Sequence, residues 1–206
     1  MSNDPSNADQ NIATDIAAAE ALAAVPGAPA AGPLVPATAC SGYPGDSNFS
    51  FLGIGKNFVN FPIDRNRGVH WFVAVDLTTQ LNVVANVASD NNGAVPPEIK
   101  RLQGDPRYFF FVVGNNLRGN NIPMGELHAF LRAIGSGRLL AGLEQIATQA
   151  GTGTIFRYSY ALAATATEGD LPGFEAFSDV HHVFLTMQFM PIRLNDKIVY
   201  APCQHF

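Results

Sequence analysis

The sequence predicts an α+β domain with a largely antiparallel, sandwich-like arrangement of sheets and a central pair of helices. Three observations predict it. Apolar and polar residues alternate with a period of two over 69–76 and 81–88. A wholly apolar run covers 108–113, bounded by Gly104–Asp105–Pro106 on one side and Gly114 on the other. Two stretches of helical period then separate these strands from a further alternating set, and strands, helices and strands in that order build an α+β domain.

Taken in order, residues 1–37 form an arm distinct from a single domain over 38–206. The arm has a polar lead, the Ala-rich run IATDIAAAEALAAV, and then Pro26, Pro29, Pro33 and Pro36. Ala, Glu and Leu favour about three helical turns. That helix presents mostly methyl groups, and the prolines impose an extended path, so the arm is expected to be unstructured in the monomer. In 69–76, Val69, Trp71, Val73 and Val75 take one face and His70, Phe72, Ala74 and Asp76 the other. The connection over 77–80 makes a hairpin with 81–88. Leu127, Phe130, Leu131 and Ile134 fall at i, i+3, i+4 and i+7 behind Pro123, and Gly135 and Gly137 stop that helix. Leu139, Leu140, Leu143 and Ile146 repeat the pattern before Gly151. Strand alternation resumes over 154–163, with Phe156, Tyr158, Tyr160 and Leu162 on one face, and again through Val183, Leu185, Met187 and Phe189. Asn195–Asp196 predicts a last tight hairpin between 192–194 and 197–200.

Composition excludes several function classes. The 206 residues carry a formal net charge of −5, and 14% are charged, against ~25% in an ordinary domain. The 12 Lys and Arg are scattered, with Lys100–Arg101 the one adjacent pair, so phosphate backbones and anionic lipid are not expected partners. No run approaches the ~18 apolar residues of a membrane span. The start, MSNDPSNADQ, lacks the basic and apolar regions of a secretory signal, which favours the cytoplasm, although the compartment stays open. Cys40 and Cys203 flank the domain. A bond between them would mean an oxidising setting. Without an export pattern both thiols are expected reduced.

The residues that carry chemistry elsewhere do not assemble into an active-site pattern here, and no cofactor motif is present. His181 and His182 are adjacent, so a strand sends them to opposite faces; Asp179 and His205 are the remaining candidate ligands, too few in sequence to define zinc. There is no G-x-S-x-G elbow. The Gly-Thr-Gly-Thr run at 151–154 follows a helix and precedes a strand, the reverse of a phosphate loop. Glu168, Asp170, Glu175 and Asp179, with Phe174 and Phe177, read as an acidic loop without calcium-loop spacing. The best ligand-binding candidate is the loop GNNLRGNN over 114–121. Its Asn115, Asn116, Arg118, Asn120 and Asn121 supply planar donors and acceptors between the most buried strand and a helix start. The same Asn and Gly residues also suit simple turns.

Arg67–Gly68–Val69 leading into VHWFVAVD, then LNVVANVAS, YFFFVVG, Leu131–Ile134–Gly135 and the run Phe156–Arg157–Tyr158–Ser159–Tyr160–Ala161–Leu162 follow one another in a distinctive order. Between Arg67 and Ala163, about half the chain, this order resembles the interleukin-like epithelial–mesenchymal transition inducer domain family, which includes secreted cytokine-like members and a lectin-like stem domain of a glycosyltransferase. The resemblance implies a small sandwich-like, non-enzymatic fold and sugar binding. The resulting expectation is a non-enzymatic domain that binds carbohydrate or a protein partner, with Tyr43 and Trp71 as exposed aromatic contacts. The alternative is a structural subunit of a homo-oligomer or larger particle, assembled through its N-terminal arm.

Overall fold

The computed structural model describes residues 5–23, 30–44, 49–62, 67–89, 92–150, 156–167 and 173–203. Helix α1 (Pro5–Ala23) precedes strands β1 (Val35–Ser41), β2 (Ser50–Ile54), β3 (Asn57–Phe61), β4 (Val69–Asp76) and β5 (Asn82–Ala88). A short α2 (Pro97–Lys100), β6 (Tyr108–Asn115), α3 (Gly125–Ala133) and α4 (Arg138–Ala150) follow, and then β7 (Ser159–Thr165), β8 (Phe174–Ser178), β9 (Val183–Leu194) and β10 (Lys197–Cys203).

The strands form two five-stranded sheets of order β10-β9-β1-β2-β3 and β5-β4-β6-β7-β8. Every strand pairing within them is antiparallel. This is the α+β sandwich the sequence predicts. The apolar run is the central strand β6, buried along its whole length because it is covered on both faces. Phe109, Phe111 and Val113 face the first sheet, meeting Ala39, Leu52, Leu185 and Phe189 in the inter-sheet core. Phe110 and Val112 face the other way, with Phe72, Tyr160 and Leu162, under Ile99, Leu127, Leu131, Leu140 and Leu143 of the helices. The two periods therefore meet on one sheet: strand residues two apart supply its face, and α3 and α4 lay their i, i+3, i+4 stripes against it.

Both predicted hairpins form. Between β9 and β10, Asn195 and Asp196 have φ of 46° and 67°, the left-handed conformation that a two-residue turn of this twist requires. Four details add to or differ from the expected outline. Residues 5–23 hold a single helix over the expected Ala-rich run, in which Ile16 is 2% exposed and Ala19 fully buried. The same methyl groups that weaken a helix's grip let its axis approach the sheet closely. β1 begins at Val35, so the first strand starts ahead of the expected boundary at 38. The strand expected from 154 begins at Ser159; 154–155 lie outside the described residues, as do 151–153 of the Gly-Thr run. Within the expected acidic loop, Glu168 and Asp170 are also outside them, and 174–178 is the edge strand β8 paired with β7.

Cys40 and Cys203 are free thiols on β1 and β10, with β9 between them. Two strand spacings amount to ~10 Å, beyond the ~7 Å that a disulfide spans.

Candidate functional site

The asparagine loop is built inward. Asn116 takes φ of 54°, which Asn tolerates better than most side chains, and reverses the chain after β6. Asn115 is buried, and its Nδ2 donates to Pro62 O at 2.9 Å. Asn116 is buried as well. Asn121 closes the short 3-10 turn over Gly119–Asn121: its Oδ1 accepts from Arg118 N at 3.1 Å and its Nδ2 donates to Gly68 O at 3.2 Å. The Asn121 carbonyl accepts the Tyr158 hydroxyl at 2.9 Å. A Cβ at Gly68 would stand 2.2 Å from Asn121 Oδ1, so the strand entering β4 can approach this loop only as glycine. Asn120 is exposed, and Arg118, paired with Arg157 in an isolated bridge, is half-buried. The five residues come together, but Asn115 and Asn121 hold neighbouring backbone and Asn116 sits inside. Sequence gives their donors and acceptors; the backbone turn gives their direction.

The polar groups beneath the loop are likewise committed. Gly114 O accepts both the Ser41 hydroxyl at 2.9 Å and the Ser50 hydroxyl at 3.1 Å. Ser41 Oγ in turn accepts from Tyr160 N, and Ser50 Oγ from Gly42 N, each at 3.0 Å. On the helical face, Glu175 Oε2 accepts from Gly137 N and Leu139 N at 3.1 Å, neutralising the start of α4, while Oε1 accepts the Tyr160 hydroxyl at 2.8 Å. Burial, together with the Glu175 charge, holds the Tyr160 phenol well above its ordinary value, so it stays a donor. His70 is enclosed, and burial lowers its pKa to about 4.

The outer face of the first sheet is different. At one end, Met190, Ile192, Val199, Ala201 and Cys203 share this face by register and α1 covers them. Among the described residues, the other half, over the start of β9 and over β1, β2 and β3, is bare. There Cys40 lies directly between Phe51 and Phe184 in the pairing register, and Gly53 pairs with Phe58. The Phe58 ring lies beside Gly53, its Cδ2 3.9 Å from where a Cβ would be, and stacks on Phe51 at 5.1 Å. Phe49 stacks on Phe51 at 6.2 Å, and the His182 ring lies 5.5 Å from Phe49 and 5.4 Å from Phe184. Phe58 is 65% exposed, Phe184 50% and Phe49 37%. Cys40 is sealed underneath, where burial pushes its thiol up to about 11.

These rings escaped sequence reasoning, although a signal was present. Phe51, Phe58 and Phe184 occupy the outward, normally polar positions of their strands, beside Asn60, Thr186 and Gln188. The aromatic contacts expected from sequence lie elsewhere: Trp71 is half-buried and stacks on Phe61 at 5.3 Å against the core, and Tyr43 is half-buried. His181 and His182 are exposed, His205 lies outside the described residues, and among the described residues no three metal-ligating side chains converge. Nor, among the described residues, is any helix long and apolar enough to cross a membrane. Comparison with protein-family models and with curated proteins finds no match.

Proposed function

We propose that the protein is a non-enzymatic binding domain for a carbohydrate or a protein partner, and that it binds through the bare half of the outer face of the first sheet. The observation that carries this reading is the contiguous set Phe49, Phe51, Phe58, His182 and Phe184, with two Phe rings at least half exposed. Rings of this size are normally buried, and a cluster left in water marks a contact surface. Flat aromatic faces stack on the apolar face of a sugar ring, and exposed Asn60 and Thr186 on the same face supply hydrogen-bonding groups. The inward use of Glu175, Tyr160 and His70 supports the non-enzymatic part, because a general acid or base must reach its substrate. A glycan array followed by titration calorimetry tests the site. Loss of binding in Phe58→Ala with Phe184→Ala, and retention in Asn120→Ala, is the expected result. The reverse pattern returns the site to the loop, and no binding at millimolar sugar removes carbohydrate as the ligand.

A second reading, a subunit of a homo-oligomer assembled through the N-terminal segment, is favoured by the way α1 lies on β9 and β10. Its grip uses Ile16, Ala19 and an ion pair of Asp15 with Lys197 at 3.7 Å. The chain between α1 and β1 is rich in proline, so the same contacts could be made to a neighbouring copy. Light scattering on the full chain and on Ile16→Asp separates the two: an oligomer that dissociates on this substitution supports assembly through α1.

A further inference from the structure

We propose that the bare aromatic half of the first sheet is a self-association surface, which a second copy of this chain covers face to face about a two-fold axis. The inference rests on the reading that this face binds a partner, and it names the partner.

The chemistry of the rings selects it. The exposed aromatic carbocycles are all Phe, which has neither the hydroxyl of Tyr nor the N–H of Trp to keep one edge wet, so the full gain comes from complete removal from water. A second protein surface does this; a sugar stacked on one face leaves the ring edges hydrated. The exposed fractions of Phe49, Phe58 and Phe184 together represent ~300 Å² at ~200 Å² per ring. That is already the size of the largest apolar patch on most monomers. Phe51, His182, Asn60 and Thr186 on the same face extend it toward the ~800 Å² per partner of a standard interface.

The surface is also complementary to itself. A ridge of Phe49, Phe51, His182 and Phe184 runs beside positions occupied by small residues, Thr38 and Thr186, which pair directly and share the outer face. A two-fold contact brings the same patch to both sides, so a patch that contains both ridge and furrow can seat its own ridge.

Sedimentation velocity on the full chain up to ~200 μM tests this. The expected result is a monomer–dimer equilibrium that Phe184→Asp weakens by ~100-fold or more, since each substitution counts twice across a two-fold interface. Phe58→Ser, at the most exposed ring, should act in the same direction with an unchanged circular dichroism spectrum, so the outcome does not hang on one variant. Ile16→Asp in α1 should leave the dimer intact. A chain that is monomeric at the highest concentration overturns the proposal, as does a dimer indifferent to Phe184→Asp and Phe58→Ser, or one lost only with Ile16→Asp. If the chain is monomeric but Phe58→Ala with Phe184→Ala still abolishes glycan binding, self-association falls and the binding face stands. If neither effect appears, both fall.

Discussion

Acidification should destabilise this protein through one residue, His70. Its side chain is buried on the helical face of β4 between strands β5 and β6, and Nε2 has no hydrogen-bond partner among the described residues. Burial lowers its pKa from 6.5 to about 4, so the folded state keeps a neutral imidazole across a range in which the unfolded chain takes up a proton. Between these values the unfolded state binds more protons, and stability is therefore fully present above 6.5 and drains away as pH falls toward 4. The complete loss is ~3 kcal/mol, of which ~2 kcal/mol is gone by about pH 5. That is a large share of the ~5–15 kcal/mol that holds an ordinary domain together. The single tryptophan, Trp71, stacked on Phe61, reports unfolding by fluorescence. Urea titrations of the wild type and of His70→Gln at neutral pH and near pH 5 should give curves that converge on acidification, because the variant has no imidazole to charge. Equal losses in the two proteins, or an imidazole resonance assigned to His70 that titrates near its ordinary value, would refute the reasoning.

Other predictions are more local. Glu175→Gln removes the charge that accepts Gly137 N and Leu139 N at the start of α4 and should cost ~1–2 kcal/mol in urea unfolding, with no change in the sheet signature of the far-ultraviolet spectrum. Gly42→Ala should prevent folding or lower the melting temperature by about 6–12 °C or more, from ~3 kcal/mol or more, because its Cβ would stand 2.4 Å from the Phe49 carbonyl oxygen. Asp196→Gly should raise stability by ~0.5–1 kcal/mol, measured the same way, since it relieves a non-glycine residue at φ of 67° in the last hairpin.

The parts of the fold legible in the sequence are those whose reason is local. The β4–β5 and β9–β10 hairpins, the buried β6 and the two amphipathic helices all follow from spacing within a dozen residues or so. β1 was less visible, because VPATACS pairs a proline with small residues and lacks a bulky alternating set; its place between β9 and β2 is decided by strands far away in the chain. The same distance hid the aromatic surface. Phe51, Cys40 and Phe184 become neighbours only once β9 pairs with β1, and in sequence each ring is indistinguishable from a core residue. For the asparagine loop the sequence supplied the right groups. Their orientation depended on the left-handed turn at Asn116 and on the glycine at 68 that lets Asn121 close against it, and neither is a property of composition.

The shared carbonyl of Gly114 has a consequence for how the molecule comes apart. Ser41 and Ser50 belong to the first sheet and Gly114 to the second, and through the two hydroxyls the amides of Gly42 and Tyr160 are held by groups whose other bond crosses the sandwich. Neither layer can slide or lift away without releasing both hydroxyls at once, in a place where water cannot replace them piecemeal. In hydrogen exchange, the protons on these two amides should therefore behave as a single cooperative unit with the strands on either side, exchanging at the rate of global opening, while the edges at β3 and β5 exchange through smaller fluctuations. The sandwich would then open like a clasped book, with this group as one of its clasps.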